Sequence, residues 1–167
     1  LLIDETCKLF LKEAFLSEHS LFLGKDVIDI EKRMNDLDIT VKELKEINPH
    51  NGNSVFHWLA EFKPEILTQW LTKENIPITI EDLKNIKDSN GNTVFHWLAH
   101  YNPEILTQWL TQENIPLSID LLKNIKSDNS NTVFHNLAYY NPATLTTWLT
   151  NDAISLTIND LKNIKDI

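Results

Sequence analysis

The 167-residue sequence has little of what usually staples or interrupts a small domain: one cysteine, three glycines and six prolines. Because Cys7 is alone, the sequence excludes an internal disulfide framework and a cysteine-rich zinc site. Its apolar runs are far shorter than the roughly 20 residues that span a bilayer. The first residues also lack the basic region and apolar core of a signal peptide. We therefore expect no membrane span.

Positive charge is also scarce. The sequence has 15 basic and 24 acidic side chains, which gives a formal net charge of −9. Proteins that bind the phosphate backbone draw affinity from clustered lysine and arginine. The charge balance thus argues against a nucleic-acid partner, and the remaining composition is that of an ordinary soluble domain. Since the chain starts without Met, we interpret it as a fragment of a longer one.

Repetition dominates the sequence that is present. The hexapeptide Val55–Ala60 recurs with small changes as 94–99 and 133–138, a spacing of 39 residues both times. Residues 48–86 and 87–125 match at 27 of 39 positions, and residues 87–125 match 126–164 at 24 of 39. A fixed period of this length is the signature of a repeat architecture.

A fourth, degenerate copy precedes these three. The same shift aligns residues 79–86 with 40–47, and Ile66-Leu67 with Val27-Ile28. A terminal copy is expected to drift because one of its faces has no neighbour. We predict one domain with an N-terminal helix and capping copy at 1–47, and full copies at 48–86, 87–125 and 126–167.

Start and stop signals predict three helices and one turn in each copy. In the second full copy, Thr93 caps a helix over 94–101. Asn102-Pro103 ends this helix and opens another, with Asn102 as its predicted cap and Pro103 as its first residue. Ser118 caps a third, shorter helix, whose equivalents start with the acidic capping boxes Thr40/Glu43, Thr79/Asp82 and Thr157/Asp160. The turn at 88–92 contains Asn-Gly. The predicted buried stripe of the second helix is Ile105, Leu106, Trp109 and Leu110.

This pattern resembles the ankyrin repeat. Within one copy, the matching residues are Asp88, Gly91, Thr93, Phe95, His96 and Ala99, followed by Ile105-Leu106 and Trp109-Leu110 in the second helix. Val94 replaces the family's proline, and an added Ile-Pro segment makes each copy longer than usual. The resemblance implies an all-α fold, an ankyrin-like helical solenoid with an extra short helix per repeat. It also implies an interaction scaffold with a concave binding face, and not an enzyme.

Three histidines are the obvious candidates for chemistry, but the spacing favours a structural role. His57, His96 and His135 lie one full copy apart, too far for one metal ion in stacked repeats, and each follows a Ser or Thr cap by three residues. We predict that they complete the caps. Cys7 on its apolar stripe is predicted to pack or stay idle. No Gly-rich phosphate loop or catalytic triad occurs, so we expect no catalysis, metal or cofactor.

Positions at which the copies differ are the candidates for binding, since residues that hold the copies together should recur. Trp70, Trp109 and Trp148 recur and are predicted to be core. In the ankyrin register the variable positions lie on or near the concave face, where aromatic side chains would form a ladder. For Trp58 and Trp97 the alternative is burial by the third helix. The candidates are Trp58, Glu61, Phe62, Trp97, His100, Tyr101, Asn136, Tyr139 and Tyr140.

Three functions remain open. The first is a monomeric scaffold that binds a partner protein in its groove. Low glycine with abundant lysine, asparagine and isoleucine resembles AT-rich bacterial coding, which suggests an effector acting on a host protein. The second is the targeting or regulatory arm of a larger enzyme, and the third is a structural spacer that self-assembles. We expect a cytoplasmic location, in the producing cell or, after delivery, in a host cell.

Overall fold

The structure is a computed structural model that describes residues 5–17, 27–48, 51–73 and 76–164. These residues are all-helical and contain no β-strand, apart from two isolated bridges, Lys87 with Thr93 and Lys126 with Thr132. None of the described helices is long and apolar enough to cross a membrane. The helices are α1 (Glu5–Ser17), α2 (Val27–Asp36), α3 (Val41–Lys45), α4 (Val55–Phe62), α5 (Pro64–Thr72), α6 (Ile80–Asn85), α7 (Val94–Tyr101), α8 (Pro103–Thr111), α9 (Ile119–Asn124), α10 (Val133–Tyr140), α11 (Pro142–Leu149) and α12 (Ile158–Asn163).

The helices repeat with the period of the sequence. Helices α4, α7 and α10 each follow a Ser or Thr cap, and α5, α8 and α11 each begin at a proline, as predicted. The predicted caps of the short third helices are also confirmed. The first helix of the degenerate copy maps largely onto residues 18–26, which lie outside the described residues.

Equivalent helices of successive copies contact each other. Helix α7 packs between α4 and α10, and α8 contacts α5 and α11. The buried apolar residues form one cluster that runs through all the copies. Packing between successive copies therefore contributes to the stability of each one.

The histidines complete the helix caps, which confirms their predicted structural role. The backbone N–H of Thr93 donates to Nδ1 of His96 at 3.1 Å, and the Thr93 hydroxyl lies 3.0 Å from the same nitrogen. The other ring nitrogen, Nε2, lies 2.9 Å from the carbonyl oxygen of Asn131 in the next copy. His57 makes the same contact with Asn92 at 3.1 Å. His57 and His96 thus cap their own helices and bond to the following turn, and His135 caps its helix in the same way.

The recurrent tryptophans are core residues, as predicted. Trp70, Trp109 and Trp148 are all fully buried. Each stacks edge-on against the phenylalanine of the preceding helix, with Phe95 and Trp109 separated by 6.4 Å between ring centroids. Each indole N–H donates a hydrogen bond to a residue of the preceding copy. The acceptors are Glu31 Oε1, Thr68 Oγ1 and Thr107 Oγ1, at 3.0, 2.8 and 2.7 Å.

Asn102 differs from the prediction. It occupies the position before α8, but its side chain makes no capping bond there. Instead its amide donates to the carbonyl oxygens of Ala60 and Glu61 at 2.7 and 2.9 Å, and Asn141 bonds in the same way to α7. The last carbonyls of a helix have no intrahelical donor. An amide from the next copy therefore satisfies two of them at once.

Gly91 is required where two turns meet. Its φ is +73°, and a Cβ there would lie 2.6 Å from the backbone nitrogen of Asp128 in the next turn and closer still to its carboxylate. Ser130 occupies the equivalent position with φ +63°. We expect Gly91→Ser to lower the free energy of unfolding by more than about 2 kcal/mol, because the strained φ and the clash add.

Urea denaturation measures this effect, and Ser130→Gly is the matched control. The control should be neutral or stabilising, since glycine adopts positive φ without steric cost. Equal, small effects of the two substitutions would contradict the proposed close approach of the turns.

Candidate binding site

Five rings of α7 and α10 form a continuous row on the surface. Trp97 lies 5.6 Å from Tyr101 between ring centroids, and Tyr101 stacks on His100 at 4.0 Å. His100 in turn stacks on Tyr140 at 3.6 Å, and Tyr140 meets Tyr139 at 4.8 Å. We call these five residues the aromatic row. It joins two successive copies, because the first three rings come from α7 and the last two from α10.

The row borders an open pocket of about 380 Å³, mostly lined by polar atoms. Its lining comes from two successive turns and from residues of α7 and α10. Asn136, which lines the pocket, is smaller than the tryptophan at its position in the other two full copies. We call this feature the pocket; its lining residues are Asp88, Asn90, Asn92, His96, Trp97, His100, Tyr101, Ser127, Asn129, Asn131, Asn136 and Tyr140.

Asp88 fixes the geometry of one wall. It is only 6% exposed, and its Oδ1 accepts the backbone N–H groups of Asn90 and Asn92, both at 2.8 Å. Its Oδ2 accepts the indole N–H of Trp97 at 2.9 Å and the amide of Asn92 at 3.2 Å. One carboxylate thus holds both the turn and the first ring of the aromatic row. The row is therefore preorganised at that end.

Burial shifts the pKa values of two rings of the aromatic row, His100 and Tyr101. Burial lowers the pKa of His100 below its ordinary value. Burial also raises the pKa of Tyr101, with added repulsion from Glu61 and Tyr140. At neutral pH both rings are therefore uncharged. In the part of the chain that the structure describes, one carboxylate and no lysine or arginine line the pocket.

The structure brings together five of the nine predicted site residues and separates the rest. Trp97, His100, Tyr101, Asn136 and Tyr140 line the pocket. Tyr139 lies beside it and is 81% exposed. Two further candidates lie on α4, outside the lining: Glu61 is half-buried and Phe62 exposed.

Trp58 does not belong to an exposed aromatic ladder, which corrects its prediction as a binding residue. It is only 4% exposed, so the alternative of a core residue holds for this position. The whole segment from Val55 to Ala60 is buried, because α4 is flanked by α3, α5 and α7. Trp97, in contrast, is half-buried, and its indole N–H donates to Asp88. The copy that contains Trp58 has Pro49 at the position of Asp88, and Pro49 lies outside the described residues.

Sequence reasoning missed the polar side of the pocket. Five of the described lining residues are asparagines, four of them from the two turns. The turns at 88–92 and 127–131 carried a signal, because their first residues differ between copies. Alignment of the copies could not reveal that successive turns stack, since this depends on contacts such as the bond from the Asp128 N–H to the Asn90 carbonyl, at 3.1 Å.

No group of three or more metal-ligating side chains occurs among the described residues. The three repeated histidines use Nδ1 to cap helices, and Cys7 lies in α1 with a side chain outside the description. The candidate site therefore consists of the aromatic row and the asparagines around an open pocket. Such a set contributes binding contacts. Comparisons with protein-family models, with curated proteins and with solved structures find no match to this chain.

Proposed function

We propose that this chain is a protein-interaction scaffold, an ankyrin-like helical solenoid that binds a partner protein along the groove that contains the aromatic row and the pocket. The stacking of equivalent helices and the bonds that link one copy to the next support the solenoid arrangement. The resemblance of each copy to the ankyrin repeat supports it independently.

One observation carries the binding proposal: the aromatic row is exposed and continuous across two copies. Tyr101, Tyr139 and Tyr140 are 42%, 81% and 46% exposed. Tyrosine and tryptophan dominate the binding energy of protein interfaces, because they bury large areas at a small entropy cost. The asparagine amides offer donors and acceptors for a peptide backbone. A nucleic-acid ligand is disfavoured by the net charge of −9.

The partner is proposed to be a host-cell protein, in keeping with the bacterial character of the composition. To test the binding face, the wild-type chain and a Tyr101→Ala/Tyr140→Ala variant are used as baits in host-cell lysate, with retained proteins quantified by mass spectrometry. A specific partner should be retained at least about tenfold less by the variant, since each interface tyrosine contributes more than 1 kcal/mol.

Ile158→Ala is the control, because Ile158 is 56% exposed but lies in α12, outside the aromatic row and the pocket lining. Thermal melts of all baits test whether they remain folded. Partners that are retained equally by wild type and the double variant would place the binding face elsewhere and contradict the proposal.

A further inference from the structure

We infer that the pocket binds the arginine side chain of an extended segment of the partner protein. This inference rests on the proposed function and specifies what the groove recognises. Its basis is the combination of aromatic residues, a carboxylate and several asparagines around one opening.

The aromatic rings provide faces for a planar cation. Trp97, Tyr101 and Tyr140 line the pocket, and His100 lies stacked between the two tyrosines. A guanidinium group over a tryptophan or tyrosine face is attracted by the ring quadrupole, and it stacks flat because it is planar. Arginine is also less strongly hydrated than lysine, so that it loses less on entering a half-closed pocket.

The local charge favours a cation and disfavours an anion. Among the described lining residues, Asp88 carries the only carboxylate, and none of them is a lysine or an arginine. Its four hydrogen bonds occupy both oxygens, so it acts through its field. Glu61 adds negative charge close to Tyr101. The whole chain has a net charge of −9, which attracts basic segments.

Hydrogen-bond acceptors explain the preference for arginine over other cations. A guanidinium has five N–H donors in a fixed plane and needs several acceptors once it leaves water. The turn asparagines Asn90, Asn129 and Asn131 line the same opening, and each carries an amide oxygen that can accept such a bond. A lysine ammonium has three donors and no plane to stack, so it satisfies this set less well.

A direct test uses Nα-acetyl-arginine amide as the probe, with acetyl-lysine amide and acetyl-citrulline amide as comparators. Binding is followed by NMR at the indole N–H of Trp97. The arginine probe should cause saturable shifts with a dissociation constant on the order of millimolar. The lysine probe should bind several-fold more weakly, and the uncharged citrulline probe should cause no saturable shift.

Tyr140→Ala should abolish the shifts, and Ile158→Ala, in α12 and outside the aromatic row and the pocket lining, should preserve them. Both side chains are exposed, so both variants should fold. Equal shifts with arginine and citrulline, or full shifts in the Tyr140 variant, would overturn the inference.

A second test separates this inference from the proposed function. Random twelve-residue peptides displayed on phage are selected on the wild-type chain and counter-selected on the Tyr101→Ala/Tyr140→Ala variant. Arginine at one fixed position of the retained peptides supports the inference. Retained peptides without such an arginine would overturn the inference while leaving a peptide-binding groove. If no peptides distinguish the two baits, the groove itself fails as the binding face.

Discussion

Replacing Trp109 with alanine should lower the free energy of unfolding by about 3–5 kcal/mol, the largest effect expected of a single substitution in this chain. Trp109 is fully buried, packs edge-on against Phe95 and lies in the central copy. Its removal leaves a cavity and also deprives the Thr68 hydroxyl of the donor 2.8 Å away. Urea denaturation followed by circular dichroism measures the loss.

Two control variants divide this effect into its parts. Thr68→Val removes the acceptor and leaves the indole in place, so its cost should be about 1–3 kcal/mol, the price of an unpaired buried N–H. Tyr139→Ala removes an exposed ring and should change stability by less than about 1 kcal/mol. A Trp109→Ala variant within 1 kcal/mol of wild type would contradict the assignment of the recurrent tryptophans as the core between copies.

Much of the local structure could be predicted because its causes are local. The predicted helix over 94–101 is α7 with the same bounds, since Thr93 caps it and Asn102-Pro103 ends it. The capping boxes depend on residues three apart. The core position of Trp109 was predicted for a different reason: it recurs in every full copy.

Contacts between copies could not be predicted from one copy. The side chain of Asn102 was assigned to its own helix, although it bonds to carbonyls 41 and 42 residues back. Trp58 and Trp97 occupy the same register, yet one is buried and the other borders the pocket. Their difference comes from the neighbouring helices and turns. The exposure of a side chain at this position depends on how the adjacent copies pack, and the repeat period alone does not reveal that packing.

Mild acid should destabilise the chain through the capping histidines. The Nδ1 atoms of His57 and His96 accept backbone N–H groups, at 3.0 and 3.1 Å, so these nitrogens carry no proton and Nε2 donates to the next copy. Protonating Nδ1 would break the cap. Burial lowers the pKa of His57 from 6.5 to about 4, and burial also lowers the pKa of His96.

The sign of the pH dependence follows from these pKa values. Between about pH 6.5 and pH 4 the unfolded chain binds a proton at His57 that the folded chain excludes, so stability falls as the pH falls. For His57 alone, the loss relative to neutral pH should be about 2 kcal/mol at pH 5 and about 3 kcal/mol once both states are protonated. His96 adds to the loss in the same direction.

Urea denaturation at steps from pH 7.5 to pH 5 measures the slope. This range lies above the acid transition of carboxylates such as Asp160, whose pKa is lowered to about 2 by its hydrogen bond from Lys123.

His57→Gln is the informative variant, because glutamine can accept the cap N–H but does not titrate. It should be less stable than wild type at pH 7.5, because it loses the bond to the Asn92 carbonyl. The difference in free energy of unfolding between wild type and this variant should then narrow by about 2 kcal/mol on going to pH 5.

His100→Asn is the control, since His100 lies in the aromatic row and caps no helix. It should leave most of the slope in place. Equal slopes for wild type and His57→Gln would show that the buried caps do not govern the response to acid.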